Sequence, residues 1–403
     1  ILDEKSLDIS LDETFPKAVI HPPVDVEMSD YQYKIYEHAR QKEKMMEQMM
    51  SRKIKNPFMK MESKSSFSIY TRQICNFVFP DISKDIRQES RVVKSKLFTD
   101  NQESELMMQM LNEKGISTDK LTRDKAYQIQ CDIFVDGVRK YFQDIKNTCI
   151  DSFENDLEMF RVSKQSFSEF YRNTSNLSDL TTQMYRCSAK MTQIAFYVYR
   201  SPGKVLIYSF IVKVMEGLSL VKVYLEMINI MSVDVDSTIS YTEYHGSISN
   251  VRRLENMKLF DSRDNIRGEK TKVMLLGPAA TEGLTFDNVR EIHFLEPAWH
   301  ETTFQQVKGR GIRMCRHKDL KQSERIVTVY RHVAVIPQLI LEQNSKLKKR
   351  TTIDQKLLEK SIKKQVLIDS FLEAIKSSAV DCMLNRNVNM TPKVGRAAYM
   401  CFR

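Results

Sequence analysis

Val273 to His317 reads VMLLGPAATEGLTFDNVREIHFLEPAWHETTFQQVKGRGIRMCRH, and the rest of the chain is interpretable from it. Val273-Met274-Leu275-Leu276 is an apolar run of the length of a strand buried on both faces. A loop of small and turn-forming residues follows, Gly277 to Thr285, with Glu282-Gly283 inside it. A second apolar run, Ile292-His293-Phe294-Leu295, has the β-branched and aromatic character of another strand. The stretch closes on Gln306-x-x-Gly309-Arg310-x-x-Arg313. Arginines three apart on a helical turn share a face. Guanidinium is always charged and grips phosphate oxygens bidentately, so the pair suits the charge that spreads over a phosphoryl group in transfer. The expectation is an α/β sheet whose edge faces a polyanion.

The same residues resemble motifs V and VI of the superfamily 2 helicases and translocases, with Glu282-Gly283-Leu284-Thr285-Phe286 as motif V and Gln306 to Arg313 as motif VI. Upstream, Lys204 to Phe210 (KVLIYSF) is similar to motif IV. Tyr244-His245-Gly246, with Arg252 or Arg253 and Phe260, is similar to the element after it. The resemblance implies a RecA-like parallel-sheet domain, the C-terminal lobe of such a motor. It assigns Arg313 as arginine finger, Arg310 as a second γ-phosphate contact and Gln306 as the residue that orients the attacking water or the arginines. Gly283, Thr285 and Glu282 would line the nucleotide, although Thr285 replaces the acid that several branches use on ribose. Ser209, Gly277, Thr281 and Lys308 would meet nucleic-acid phosphates. The plain alternatives are that the arginines pair with core carboxylates and that the small residues are ordinary turns.

Ser188-Ala189-Lys190 resembles the entry helix ahead of motif IV, and two further segments point to one branch. Arg72-Gln73-Ile74-Cys75-Asn76 before Phe77 to Pro80, and Ser377 to Asn385 with Asp381-Cys382, resemble the helicases and transcription ATPases of large DNA viruses of poxvirus and asfarvirus type. That branch implies ATP and Mg2+ as cofactors, DNA or RNA as partner, a viral RNA polymerase as a further partner, and a place in host cytoplasm and virion. The rival reading is a non-catalytic nucleic-acid- or polymerase-binding module.

Composition agrees with a globular protein of two or three domains: 403 residues, 42% hydrophobic and 28% charged. The net charge of +10 is uneven. Residues 308–350 carry a net +9 and residues 1–30 a net −6, so a basic block adjoins the arginine motif. The seven cysteines are scattered, with no C-x-x-C pair, which argues against disulfides and zinc and for a reducing compartment. No apolar run reaches the length of a membrane span. The chain starts at Ile1 without methionine and is read as a fragment or a processed product.

Taken in order, residues 1–30 read as an extended linker from a missing first RecA-like lobe. Residues 31–186 read as a mainly helical region, residues 187–345 as the second RecA-like domain and residues 346–403 as a helical extension. A capping box is expected at Ser29 and Gln32, with Met28 and Tyr33 as its staple, and another at Thr352 and Gln355. The Met45 to Met50 run is expected in core packing, and Trp299 beneath the motif VI helix. Strands are expected at 205–209, 239–244, 273–276, 292–295 and 326–329. No G-x-x-x-x-G-K-[ST] occurs and no apolar strand ends in Asp-Glu, so the phosphate cradle and the magnesium ligand are expected on another lobe or chain.

Overall fold

A computed structural model describes residues 15–53, 69–80, 123–212, 217–343 and 350–378. The expected ending motif at 381–385 and most of the basic run 346–350 lie outside the described residues. The chain opens with β1 (Lys17–Ile20) and β2 (Val24–Glu27), then α1 (Asp30–Lys53) and α2 (Ile69–Asn76). Helices α3 (Arg123–Thr148), α4 (Ile150–Val162), α5 (Phe167–Asn173), α6 (Asp179–Cys187) and α7 (Ala189–Arg200) follow. Strands and helices then alternate: β3 (Lys204–Tyr208), α8 (Leu218–Met227), β4 (Met231–Ser232), β5 (Ser240–Tyr244), α9 (Asn250–Phe260), β6 (Thr271–Leu276) and β7 (Val289–Phe294). The last elements are α10 (Glu301–Gly311), β8 (Ile326–Val335), α11 (Gln338–Gln343) and α12 (Ile353–Ser378).

The sheet runs β1-β8-β7-β3-β6-β5-β4, with β2 paired beyond β1 on β8, and every pairing is parallel. All five expected strands are present, and the fold is the expected α/β RecA-like class. Alternation along β3 shows why the strands are apolar throughout. Val205 and Ile207 enter one core with α7 and α8, and Leu206 and Tyr208 enter the other with Phe260 of α9 and Phe304 of α10.

Three expectations are corrected. Residues 17–20 and 24–27 are not an extended linker: they are strands in parallel register with β8, Lys17 beside Ile326 and Val24 beside His332. Short runs broken by Pro22 and Pro23 carry too little periodicity to signal strands, and only β8, ten residues long, gives them a partner. The helical region is not a separate unit either. Val138, Phe142, Phe160, Leu180 and Met184 share one continuous core with Val205, Leu225 and Val273. Met45, Met46 and Met49 are exposed on α1 and do not pack in the core.

Capping behaves largely as read. The amide of Gln355 donates to Thr352 Oγ1 at 3.2 Å and the amide of Thr352 to Gln355 Oε1 at 2.9 Å, a complete box. At α1 only half the box forms: the Gln32 amide reaches Ser29 Oγ at 3.0 Å, while the Gln32 side chain donates to the Ile74 carbonyl at 2.8 Å. Met28 and Tyr33 are both buried in the small core beneath α1.

A histidine relay lies on the α7 face of the sheet. The Glu291 carboxylate can only accept, so His293 Nε2 donates to it at 3.1 Å. His293 Nδ1 then accepts from His332 Nε2 at 3.1 Å, which leaves His332 Nδ1 unprotonated, buried and without a partner among the described residues. Burial first, then His293 and the Lys190 charge, depress the His332 pKa well below its ordinary value. His332 is therefore neutral when folded and protonates on unfolding below about pH 6.5. Its contribution to stability is complete above that pH and falls as pH drops, by roughly 1.4 kcal/mol per pH unit. Urea midpoints measured from pH 7 to 5 should fall more gently for His332→Phe, by the slope of one proton. Parallel slopes would place the charge on folded His332.

Candidate functional site

Motifs V and VI meet at one end of the sheet. After β6 the chain makes a short turn of helix, Pro278–Thr281, and Gly283 takes φ +70°, a left-handed conformation suited to glycine. The loop then lies against the end of α10: the Phe286 amide donates to the Arg310 carbonyl at 3.0 Å, and the Asn288 amide to the Arg316 carbonyl at 3.0 Å. One Nη of Arg310 donates to the Leu284 carbonyl at 3.0 Å and the other to the Thr281 carbonyl. Its Nε is buried without a partner among the described residues. The exposed Arg313 donates to Thr285 Oγ1.

Helical spacing is not what brings the two arginines together. The helix ends at Gly311, with Ile312 extended, so Arg313 stands beyond it. A Cβ at Gly311 would lie 3.0 Å from Ile292 Cδ1 and 3.2 Å from Val289 Cγ1, so the close packing of α10 on β7 suits glycine there. Both side chains instead turn back to the same loop. Neither pairs with a carboxylate among the described residues, whereas the neighbouring Arg316 takes Asp287 at 3.3 Å. Burial, and then the like charge of Arg313, lower the Arg310 pKa against an opposing pull from Glu282. Gln306 is exposed one helical turn before Arg310, on the same face of α10. Arg310 and Arg313 thus meet the loop that carries Glu282, Gly283 and Thr285, two cations beside one carboxylate, with Gln306 a helical turn before Arg310.

The residues expected on nucleic-acid phosphates do not form a second such edge. Ser209 is wholly buried, and its hydroxyl lies 3.0 and 3.2 Å from the two oxygens of Glu296, out of reach of a phosphate. The Gly277 amide is spent on the Tyr244 carbonyl at 3.0 Å, and a Cβ there would stand 2.7 Å from His245 Cβ, so packing explains this glycine. The Thr281 hydroxyl donates to the Pro278 carbonyl at 2.8 Å. Lys308 lies about 200° round α10 from Arg310. It stands over Phe304 at 5.7 Å, where burial and then Arg331 lower its pKa. His245 is structural: Nδ1 accepts from the Ser247 amide at 3.3 Å and Nε2 donates to Glu243 at 2.9 Å.

The centre that sequence reading missed is a buried polar chain. Lys190 Nζ donates to Asn76 Oδ1 at 2.6 Å and to Asp354 Oδ2 at 2.8 Å. Asn76 Nδ2 donates to Glu296 at 3.4 Å, and the Ser188 hydroxyl donates to the Asn76 carbonyl. Glu296 also accepts from the amides of Phe210 and Ile211, the latter at 3.3 Å. Burial raises the Glu296 pKa, while Lys190, Ser209, Phe210 and Arg72 oppose the rise. Ser188, Lys190 and Asn76 were visible as motif residues. Glu296 carried no signal beyond being a carboxylate directly after an apolar strand. Trp299 does not pack beneath α10: it lies partly exposed between Arg72 at 5.2 Å and Lys364 at 5.9 Å.

Residues 189–315 match the family model of the helicase conserved C-terminal domain. A protein of Acanthamoeba polyphaga mimivirus named as an ATP-dependent RNA helicase is 34% identical over 388 residues, 94% of this chain and 46% of that protein. The termination factor NPH-I homolog of African swine fever virus is 32% identical over 148 residues, 36% of this chain and 21% of that protein. Nucleoside triphosphatase I of Melanoplus sanguinipes entomopoxvirus is 33% identical over 115 residues, covering 28% and 16% of the two chains. The chain thus spans less than half the length of these curated relatives. A solved structure, the C-terminal part of the Fun30 ATPase domain, is similar over 86% of this chain and 90% of its own, with a TM-score of 0.48 and 13% identity.

The hydrogen bonds divide the arginines by role. Replacing Arg310 by Ala strips two loop carbonyls of their donor and should cost roughly 1–2 kcal/mol in urea unfolding. Replacing the exposed Arg313 should stay within about 0.5 kcal/mol. Equal losses would remove the distinction between a strut and a free cation.

Proposed function

Because this chain carries the C-terminal motor domain of the superfamily 2 helicases, in the group found in large DNA viruses, we propose that it is the second lobe of a nucleic-acid-dependent ATPase that translocates along or unwinds its strand. The observation that carries this reading is the loop-held arginine pair, neither member of which forms an ion pair among the described residues. Such a pair suits phosphates delivered by another surface.

The fit to a nucleotide is one-sided. The chain has cations for the phosphate end but no phosphate-cradling G-x-x-x-x-G-K-[ST]. A first lobe would therefore hold ATP and Mg2+, the ion offsetting phosphate charge when bound. Arg310 serves as a strut: its two Nη groups hold the loop that presents Thr285 and, through it, Arg313. Lobe closure would then bring Arg313 to the developing charge on the transferred phosphoryl, with Gln306 on the same edge to orient water. Opening and closing would move the two lobes along the strand.

The African swine fever virus relative is named as a termination factor, which supports a role in viral transcription; a place in host cytoplasm and virion, beside a viral RNA polymerase, belongs to the same proposal. Among the described residues no helix is long and apolar enough to cross a membrane. The rival, a non-catalytic nucleic-acid- or polymerase-binding module, draws on the missing phosphate cradle.

ATPase assays with and without nucleic acid, on this chain alone and joined to a first lobe, separate the two readings. The motor reading expects stimulated turnover only in the joined protein, and negligible activity in both would leave the binding module. In the joined protein Arg313→Ala should lower kcat by about 10³-fold or more while nucleic acid still binds. Loss of binding with turnover intact would reassign Arg313 to the nucleic-acid backbone.

A further inference from the structure

The turn after β3 combines a buried charge with an exposed ring. Glu296 is 6% exposed, yet its carboxylate is met by donors from two segments. The Ser209 hydroxyl lies at 3.0 and 3.2 Å, the Phe210 amide donates, the Ile211 amide stands at 3.3 Å and Asn76 Nδ2 at 3.4 Å. A carboxylate this deep is tolerated only when its oxygens are so satisfied. The contacts immobilise the backbone on both sides of Phe210, whose side chain remains 51% exposed. A single exposed apolar residue needs no explanation. One whose own amide and the next are pinned by a buried carboxylate is held in place. It stands at the carboxyl ends of parallel strands, where such sheets bind ligands. Arg72 and Lys364 stand over the ring of Trp299, three residues beyond Glu296, at 5.2 and 5.9 Å, which puts cations near that carboxylate.

We propose that Phe210 stacks on a base of single-stranded nucleic acid and that Glu296 is the positioning residue that holds it there. Every base offers a π face, so such a contact is sequence-tolerant, while nearby cations follow the phosphates. The proposal rests on the motor reading and extends it, because it assigns the strand contact to an aromatic side chain and not to the buried hydroxyl of Ser209.

The test uses the intact two-lobe protein and a fluorescent single-stranded oligonucleotide, read by anisotropy and by ATPase at varied oligonucleotide. Phe210→Ala should raise Kd about 5- to 100-fold, with the loss in half-saturating oligonucleotide rather than in kcat, and Phe210→Trp should restore binding. Glu296→Gln should weaken binding in the parent but add little in the Phe210→Ala background, because the two act as one unit. Fully additive losses would overturn the positioning role. Unchanged binding by Phe210→Ala in a parent that binds would overturn the stacking contact alone. A KM rise confined to ATP would hand the ring to adenine and also overturn it. A parent that binds no oligonucleotide would sink the motor reading and this contact with it.

Discussion

Lys190 and Asp354 meet at 2.8 Å with side chains 1% and 2% exposed, and much of the molecule is arranged around that pair. Taking two charges out of water costs several kcal/mol per ion, and Coulomb attraction alone seldom offsets it. Further hydrogen bonds do so here. Asn76 Oδ1 takes a second proton of Lys190, and Asp354 also accepts the Ala334 amide at 3.1 Å. The pair therefore joins α7, α2, β8 and α12 at one point. Any of these segments docked out of place would strand a buried charge, so geometry is enforced by penalty more than by attraction.

From that point the restraint runs outward. Asn76 passes from Lys190 to Glu296, and Glu296 passes to the turn after β3. The helical region is thus joined to the carboxyl end of β3 by polar contacts as well as by a shared apolar core. A purely apolar core would tolerate small slides of α2 against β7. A chain of directional hydrogen bonds does not.

At the other edge the same economy divides two chemically identical side chains. Arg310 spends its fork on carbonyls of the loop after β6, and Arg313 touches that loop only through a threonine hydroxyl. Neither forms an ion pair among the described residues, while Arg316 is paired with Asp287. An arginine holding backbone is costly to move, and one held lightly at the surface can change partners. Lys308 shows the limit of reasoning by charge alone: the periodicity of α10 turns it toward Phe304 and Arg331, away from the loop.

The sequence by itself determined the α/β class, the five central strands, the Thr352 capping box and the neighbourhood of motifs V and VI. Each of these is written in local periodicity or spacing that no distant residue can overrule cheaply. Tertiary structure decided the rest. Strands at 17–20 and 24–27 exist because β8 extends far enough to pair them. The arginines converge because a loop folds back to meet them after their helix has stopped. Ser209 lost its expected place on a phosphate because Glu296, 87 residues away in the chain, claims its hydroxyl. Burial and partner choice depend on residues far apart in sequence, and no window of one strand or one helix contains that information.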